Sequence, residues 1–168
     1  ASSRDSDTGV SSYVYDTYKR LTRVVRPDGT EMVFAYDLAD NILRATDERG
    51  ETATFVYDAN GNMASAIAPP AEAVTATYDL LDRMTRRTDA LGKASTYTYD
   101  NMDRLKAVID RNGNAMTLTY DTRGWPVSLT DSLGNIWRVG YDDEGLPISM
   151  TTPLGHTTRY QSDALGRT

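Results

Sequence analysis

The sequence predicts an all-β protein, an antiparallel meander of β-hairpins built from a 21-residue repeat. Three observations lead to this fold class. The dipeptide Tyr-Asp recurs at a constant interval of 21 residues, each unit contains two turn signals about ten residues apart, and the segment before each Tyr-Asp alternates between the two faces of a strand. No segment has a sustained helical pattern.

The Tyr-Asp pair and a later glycine define the repeat unit. Such a fixed period indicates one supersecondary unit used again and again, so we interpret these residues as a structural signature. Asp163 falls in the same register behind Ser162. The predicted signature consists of Tyr15, Asp16, Tyr36, Asp37, Tyr57, Asp58, Tyr78, Asp79, Tyr99, Asp100, Tyr120, Asp121, Tyr141 and Asp142, with Gly29, Gly50, Gly92, Gly113, Gly134 and Gly155 at the fifteenth position.

Each unit is expected to contain two tight turns. With Tyr counted as position 1, position 5 is Gly or Asp in every unit except the first, which has Lys19. Gly and Asp tolerate left-handed backbone conformations, and an Asp carboxylate can accept a hydrogen bond from the N–H two residues on. A second D-x-x-G turn ends at the position-15 glycine. Two extended segments of roughly six residues remain between the turns.

These segments predict about sixteen strands. The strand before Tyr36, for example, places Met32, Phe34 and Tyr36 on one face and Glu31, Val33 and Ala35 on the other. An open sheet of that width curls, so we expect part of a spiralling β-shell or barrel. The aromatic face has no helix to cover it and must face a lumen, an adjoining layer or a cargo.

The domain organisation follows from the repeat. Residues 1–12 are Ser- and Asp-rich without an apolar stretch, which predicts an irregular N-terminal edge and no signal peptide. Residues 13–168 hold about seven and a half repeats. Because the last unit stops inside the repeat, we infer a fragment of a larger array.

Prolines predict two local irregularities. Pro69-Pro70-Ala71 replaces the second turn of the third unit, which favours a stiffer, extended connection. Pro126 and Pro147 stand at position 7, where a ladder N–H is expected. Their strands are therefore predicted to start late or to lie at an irregular edge.

The composition excludes several classes of partner. With 18 basic and 24 acidic residues the net charge is -6, which disfavours nucleic acid and anionic membranes because both are bound through Lys and Arg. The chain has no Cys, and hence no disulfide, thiolate nucleophile or Cys-ligated metal. No apolar run is long enough for a membrane span.

We predict no catalytic, cofactor-binding or metal-binding residues. The acidic run 142–144 coincides with a repeat turn and lacks the spacing of an EF-hand loop. His156 is the only His and follows Gly155 in a turn, which indicates an exposed residue. Acid–base catalysis needs distinct environments made by unique residues, whereas repetition supplies the opposite. The chain is therefore not expected to be an enzyme.

The repeat resembles the Rhs or YD-repeat family, whose unit reads Y-D-x-x-G-R-L followed by D-x-x-G-N. The matching stretches are residues 57–63, 99–105 and 110–114. The resemblance extends from about Tyr13 to Thr168 and points to bacterial Rhs polymorphic toxins or insecticidal toxin-complex shells. Animal teneurins are similar more distantly.

The resemblance implies a structural shell segment of a secreted bacterial toxin that encloses a C-terminal toxin domain until delivery. Its partners would be its own C-terminal toxin domain, neighbouring repeats of the parent chain, and secretion-machinery or immunity proteins. The implied location is secreted or cell-envelope associated, through type VI secretion or a toxin-complex route. This chain lacks the D-P-x-G-type motif linked to self-cleavage in the family, so no protease residues are assigned.

A second interpretation is a cell-surface module whose repeats bind carbohydrate or a partner protein. Its support is the high Tyr content of eleven residues, since aromatic rings line many sugar-binding sites.

Overall fold

The computed structural model describes residues 2–4, 9–70 and 72–161. The chain divides into two units, residues 1–92 and residues 93–168. In both units the described residues form strands and turns and no helix, which confirms the all-β class. Ala71 and the predicted half repeat with Asp163 lie outside the described residues.

Unit 1 is an antiparallel meander in which each strand pairs with the next in chain order. Its strands are β1 (Ser2–Arg4), β2 (Val10–Tyr15), β3 (Leu21–Val25), β4 (Glu31–Tyr36), β5 (Ile42–Thr46), β6 (Thr52–Tyr57), β7 (Met63–Ala68), β8 (Glu72–Tyr78) and β9 (Met84–Thr88). Strand β1 and the start of β2 fall within residues 1–12, for which the sequence predicted an irregular edge.

Unit 2 continues the same pattern, again with antiparallel pairing in chain order. Its strands are β10 (Ala94–Tyr99), β11 (Leu105–Ile109), β12 (Ala115–Tyr120), β13 (Pro126–Thr130), β14 (Ile136–Tyr141), β15 (Pro147–Thr151) and β16 (Thr157–Arg159). The predicted hairpin meander with a 21-residue period is therefore confirmed.

A β-bulge accompanies each Tyr-Asp turn. In the β4–β5 hairpin Ala35 pairs with Arg44 and Tyr36 pairs with Ile42, so Leu43 is an extra residue. The same shift occurs in the other hairpins with a Tyr-Asp turn. A bulge bends the strand and increases its twist locally. The alternation of residue types had not predicted it.

The register separates two chemically different faces in each unit, because directly paired residues project to the same face. We call the first the Tyr face; besides the signature tyrosines it includes Val24, Met32, Phe34, Phe55 and Val74 in unit 1, and Tyr97, Val108, Met116, Leu118, Leu129, Trp137 and Val139 in unit 2. We call the second the Thr face; it includes Thr46, Thr52, Thr54, Thr75, Thr77 and Thr88 in unit 1, and Thr96, Thr98, Thr117, Thr119, Thr130, Thr151 and Thr157 in unit 2.

Each unit is a single layer without a core of its own. Within a unit the strands contact only their neighbours in sequence. No hydrophobic side chain in the described part is buried, and the sole buried residue there is Ser11, at 8% exposure. Cohesion therefore comes from strand ladders, turns and contacts along each face, rather than from a second packed layer.

The late strand start and the extended connection predicted from the prolines are wrong, whereas the alternative of an irregular edge is not contradicted, because Pro126 and Pro147 form the ladder pairs at which the register shifts. Pro126 and Pro147 begin β13 and β15 at position 7, where Leu105 also begins β11, so the late start is wrong. The first residue of a strand accommodates Pro because it is not obliged to donate to the ladder. The extended connection after β7 is wrong as well, because the β7–β8 ladder continues to Ala68 and Glu72 and leaves room only for a short turn.

Position 5 of each Tyr-Asp turn has a positive φ. Gly occupies this position in Gly61, Gly124 and Gly145, but the φ angles of Lys19, Asp40, Asp82 and Asp103 are also positive, at 66°, 67°, 60° and 64°. A left-handed conformation brings the Cβ of a non-Gly residue too close to the following carbonyl oxygen, at a cost of about 1 to 2 kcal/mol. Asp tolerates this conformation better than most residues, so the turn geometry overrides residue preference most clearly at Lys19.

The substitution Lys19→Gly is expected to increase the free energy of unfolding by about 1 kcal/mol, because Gly adopts this φ without the Cβ clash. Lys19→Ala is the matched control, since it removes the exposed side chain but keeps the Cβ. Urea unfolding of the three proteins measures the difference. Equal stability of the Gly and Ala variants would contradict a strained position 5.

Candidate functional site

The most distinctive feature of the fold is the row of Tyr-Asp turns along one edge of each sheet. We call it the Tyr-Asp edge. It comprises residues 15–21, 36–42, 57–63 and 78–84 in unit 1 and residues 99–105, 120–126 and 141–147 in unit 2. These segments contain all fourteen Tyr and Asp residues of the predicted signature, while the position-15 glycines lie in the second turns at the opposite edge.

The Asp carboxylate closes each turn. Asp37 Oδ1 accepts hydrogen bonds from the backbone N–H of Ala39 at 2.8 Å and of Asn41 at 2.9 Å, and the Asp37 N–H donates to the Asn41 carbonyl at 2.9 Å. The same two N–H donors, two and four residues on, reach Oδ1 in the other turns, at Asp16, Asp58, Asp79, Asp100, Asp121 and Asp142.

In the first five repeats the second carboxylate oxygen accepts a hydrogen bond from the side chain at position 6. Arg20 Nε donates to Asp16 Oδ2 at 2.7 Å, and Asn41 Nδ2 donates to Asp37 Oδ2 at 3.0 Å. The Asn41 side-chain hydrogen bond, followed by that of its backbone N–H, lowers the pKa of Asp37. Burial raises the pKa of Asp16, but the hydrogen bonds from Arg20 and Tyr18 outweigh it, so that this pKa also lies below its ordinary value.

The Tyr hydroxyl extends the pairing between adjacent repeats. Tyr36 Oη donates to the carbonyl of Leu21 at 2.8 Å, 15 residues earlier. The β3–β4 ladder ends at Arg23 and Val33, so this bond satisfies a carbonyl beyond the last ladder pair. Equivalent bonds of 2.7 to 3.1 Å are donated by Tyr57, Tyr78, Tyr120 and Tyr141.

Arginine at position 6 ties one turn to the next. Arg20 Nη1 donates to the Asp37 carbonyl at 2.6 Å and to Asp40 Oδ1 at 2.9 Å. Its guanidinium lies 4.9 Å from the centre of the Tyr36 ring, a cation–π distance. In unit 2 Arg104 Nη1 reaches the Asp121 carbonyl at 3.4 Å. Arginine thus contacts both its own turn and the following one.

The sixth repeat makes the same link with different residues. Trp125 takes position 6, and its ring packs against Tyr141 with centroids 5.4 Å apart. Arg123 at position 4 lies over Trp125 at 5.0 Å, donates to the Asp142 carbonyl at 3.3 Å and pairs with Asp143 at 2.7 Å. A cation therefore reaches the next turn even where the position-6 Arg is lost.

Asparagine provides an uncharged version of the link. Asn60 Nδ2 and Asn62 Nδ2 both donate to Asp82 Oδ1, at 2.8 Å and 2.7 Å. Asp40 is held in the same way by Arg20. Asp40 and Asp82 both have a positive φ, which Gly would adopt without steric strain. The previous repeat therefore stabilises the side chains of two residues whose backbone conformation is strained.

The surface depressions described in unit 1 are smaller than ligand pockets. Two surface depressions in unit 1 measure about 60 Å³ and 180 Å³, below the roughly 300 Å³ at which ligand pockets begin. His156 is exposed in its turn, and Asp143 pairs with Arg123. Within the described ranges, no three His, Cys, Asp or Glu residues are placed to hold a metal ion.

No helix in the described part of the chain is long and apolar enough to cross a membrane.

The Tyr-Asp edge is a row of turns that are connected to one another by hydrogen bonds. The repeat pattern predicted its Tyr and Asp residues, but not the carbonyl acceptors of five Tyr hydroxyl groups or the contacts of Arg20, Arg104 and Arg123 with the next turn. The recurrence of Arg at position 6 indicated a role for Arg20 and Arg104, whereas Arg123 stands at position 4, where the repeat has no such pattern.

Removal of one Tyr hydroxyl tests the link between repeats. Tyr36→Phe is expected to lower the free energy of unfolding by about 1 kcal/mol, because the Leu21 carbonyl loses its donor. Tyr18→Phe is the matched control: its ring also contacts Arg20, but its hydroxyl is exposed at a turn tip. Equal effects of the two substitutions on chemical denaturation would contradict a role for the hydroxyl bond.

The turn carboxylates predict a characteristic acid sensitivity. The pKa values of Asp16, Asp28, Asp37, Asp58, Asp79, Asp100, Asp110 and Asp131 lie below the ordinary value of 3.8. A carboxylate with a depressed folded pKa stabilises the fold above its unfolded pKa, and the contribution is lost as the pH falls through the folded pKa. We expect constant stability from pH 7 to about 5 and a loss below about 4.

Urea unfolding midpoints across this pH range measure the effect. Asp37→Asn cannot titrate at that position, so its stability should change less with acid than that of the unaltered chain. A loss of stability between pH 7 and 6 would contradict the prediction.

Comparison with known proteins places this geometry in context. The sequence profile of the RHS repeat matches residues 36–69, 78–115, 103–136 and 120–157, more than half of the chain. No curated protein matches the chain significantly.

Several solved structures share the fold at low sequence identity. The structure of TcdB2-TccC3-Cdc42 has a TM-score of 0.72 and 13% identity over 86% of this chain and 9% of that chain. TcdB2-TccC3 without its hypervariable C-terminal region has a TM-score of 0.58 and 14% identity over 96% of this chain and 11% of that one.

The chain spans about a tenth of the length of these proteins, and at such identity the likeness shows the fold alone. The family follows instead from the repeated profile match together with the Tyr-Asp turns in one register. This chain belongs to the RHS repeat family.

Proposed function

We propose that this chain is a wall segment of a large shell in a bacterial toxin, and that the shell encloses the C-terminal toxin domain until delivery. The observation that carries the proposal is the single-layer sheet with two chemically different faces and no described hydrophobic residue buried. A sheet of this kind makes no core for itself. Its apolar face needs another surface against it.

The Tyr face has a composition that suits the inner surface of a shell. Five of the six methionines lie on it: Met32, Met63, Met84, Met116 and Met150. Methionine is flexible and polarizable and adapts to apolar surfaces of varied shape. Such a face suits an enclosed polypeptide better than a single small ligand, in agreement with the small depressions described above.

The Thr face suits contact with water. Its hydroxyl groups pair across strands, as in Thr46 with Thr52 at 2.8 Å and Thr151 with Thr157 at 2.9 Å. Arg23, Arg44, Arg86 and Arg138 share this face. We therefore assign the Tyr face to the interior and the Thr face to the exterior.

The Tyr-Asp edge supports a long array. Within each unit, every repeat contacts the next through a Tyr hydroxyl and, at several junctions, through Arg or Asn, so further repeats can be added with the same contacts. Neighbouring repeats of the parent chain are thus the first proposed partners, and the enclosed C-terminal toxin domain is the second.

Family membership and the likeness to TcdB2-TccC3 structures support a toxin context. They motivate an extracellular or cell-envelope location, with secretion-machinery or immunity proteins as further partners. The type VI and toxin-complex routes are both compatible with this proposal.

The alternative, a carbohydrate- or protein-binding module, rests on the tyrosines. Five signature hydroxyl groups already donate to backbone carbonyls, so they do not present a repeated set of free donors to a sugar. The geometry therefore favours the wall over the binding module.

Electron cryomicroscopy of the intact parent protein tests the proposal. We expect a closed, hollow shell with density inside and the Tyr face of these repeats toward that density. A parent chain truncated before its C-terminal domain is the matched control and should form the same shell without the internal density. A solid rod, an open sheet or a Thr face turned inward would contradict the proposal.

A further inference from the structure

The chain contains the pattern Asp-x-Asn-Gly-Asn twice, at residues 58–62 and 110–114, and both copies form the same turn. In each copy the Asp Oδ1 atom accepts the backbone N–H groups two and four residues on, at 2.8 to 2.9 Å. The φ angles of Gly61 and Gly113 are 87° and 88°. Their N–H groups donate to the carbonyl of the Asp, at 3.1 Å and 2.9 Å. The two copies therefore compare the same sequence on nearly the same backbone.

The side chains of the two central Asn residues differ in what they bind. Asn60 Nδ2 donates to Asp82 Oδ1, in the next Tyr-Asp turn of unit 1, at 2.8 Å. The backbone N–H of Asn112 donates to Asp110 Oδ1, but its side-chain amide has no hydrogen bond to any residue that the structure describes. Both Asn residues are exposed to solvent. One amide is thus held in place, whereas the other is free to rotate.

An Asn amide that precedes Gly can be attacked by its own main chain. The nitrogen of the Gly loses its proton and forms a bond with the amide Cγ, while the Cγ–Nδ2 bond breaks and the leaving nitrogen takes up a proton and departs as ammonia. Gly favours the step because it has no Cβ and its backbone is permissive. Water then opens the five-membered succinimide at either carbonyl. One water is consumed and one ammonia is released, without oxidation or reduction.

We propose that Asn112 is a self-modification site, at which the Gly113 nitrogen is the nucleophile and water the co-reactant, and that Asn60 is protected from the same reaction. Each Gly N–H must leave its carbonyl acceptor before it reacts, which in an exposed turn requires only local opening. At Asn60 the opening must also break the hydrogen bond to Asp82. The Asp82 carboxylate in addition disfavours the negative charge that develops on the attacked amide. The inference is independent of the proposed shell, because it requires only the two turns.

The products at position 112 are aspartate and isoaspartate, and the second changes the turn. In isoaspartate the main chain runs through Cβ and Cγ and is one atom longer. The Gly113 N–H to Asp110 carbonyl bond and the Asp110 N–H to Asn114 carbonyl bond, both 2.9 Å, close rings that include this residue. We therefore expect the modification to loosen the reversal between β11 and β12.

The test is to age the 168-residue chain at mildly alkaline pH, which favours the deprotonated nitrogen, and to follow it by digestion and mass spectrometry. We expect Asn112 to gain one mass unit several-fold faster than Asn60, with isoaspartate identified by electron-transfer fragmentation. Asn41 and Asn135 are each followed by Ile, whose branched Cβ hinders attack, and should stay unmodified. An equal or faster rate at Asn60 would overturn the proposal.

The substitution Asp82→Gly tests the protection of Asn60. Position 5 of the Tyr-Asp turn is already Gly at Gly124, and Asp82 has a positive φ, so the change removes the carboxylate without straining the turn. We expect the rate at Asn60 to rise several-fold toward the unchanged rate at Asn112. Asp40→Gly, the same change in another turn, is the matched control and should leave Asn60 as it was. No increase at Asn60 in Asp82→Gly would refute the protection.

Ageing in guanidinium chloride shows whether the folded turns cause the difference. The two Asn-Gly pairs are expected to react at similar rates in the unfolded chain, because neither the turns nor the hydrogen bond to Asp82 is formed. A difference that persists after unfolding would assign it to the preceding residues, Ala59 and Arg111, and would overturn the proposal. Neither outcome bears on the proposed shell, which is tested by imaging.

Discussion

The hydrogen bonds from turn N–H groups to the Asp carboxylate are the constraint on which the other contacts depend. Asp37 Oδ1 fixes the reversal by holding Ala39 and Asn41. The fixed reversal places Tyr36 at the end of β4, where its hydroxyl reaches the previous repeat. In the first repeat, Asp16 Oδ2 accepts a hydrogen bond from Arg20 Nε, and Nη1 of the same side chain reaches the Asp37 carbonyl in the next turn. The turn carboxylates thus position side chains that contact the previous and the following repeat.

The bulge explains why the Tyr-Asp turn can coexist with two distinct faces. Tyr36 pairs with Ile42, and the preceding residue Ala35 pairs with Arg44. The extra residue, Leu43, shifts the alternation by one, so that apolar residues from both strands of the hairpin project to the Tyr face. Without that shift, Ala45 would fall on the face opposite Phe34, with which it now pairs.

The sequence contained most of the fold because the repeat displays its pattern seven times. Period and alternation predicted the strands, the turns and the face shared by Met32, Phe34 and Tyr36. The sequence pattern did not predict that the Tyr36 hydroxyl donates to the Leu21 carbonyl or that Arg123 contacts Asp142. These contacts depend on residues 15 to 19 positions away in the chain. The late start predicted from Pro126 was wrong, because the rule that keeps Pro out of strand interiors does not say which residue begins the strand.

A sheet without a core must distribute its stabilisation over every junction between repeats. In a packed domain, one buried cluster supports many elements at once, whereas here each strand contacts only its sequence neighbours within a unit. Loss of a contact at one junction is therefore not compensated by a distant core. This explains why the sixth repeat, which has Trp125 where others have Arg, uses Arg123 to reach the same carbonyl position of the next turn. Four of the repeats thus supply a side-chain donor that bridges to the next turn, and the residue that supplies it varies: Arg20, the pair Asn60 and Asn62, Arg104, and Arg123.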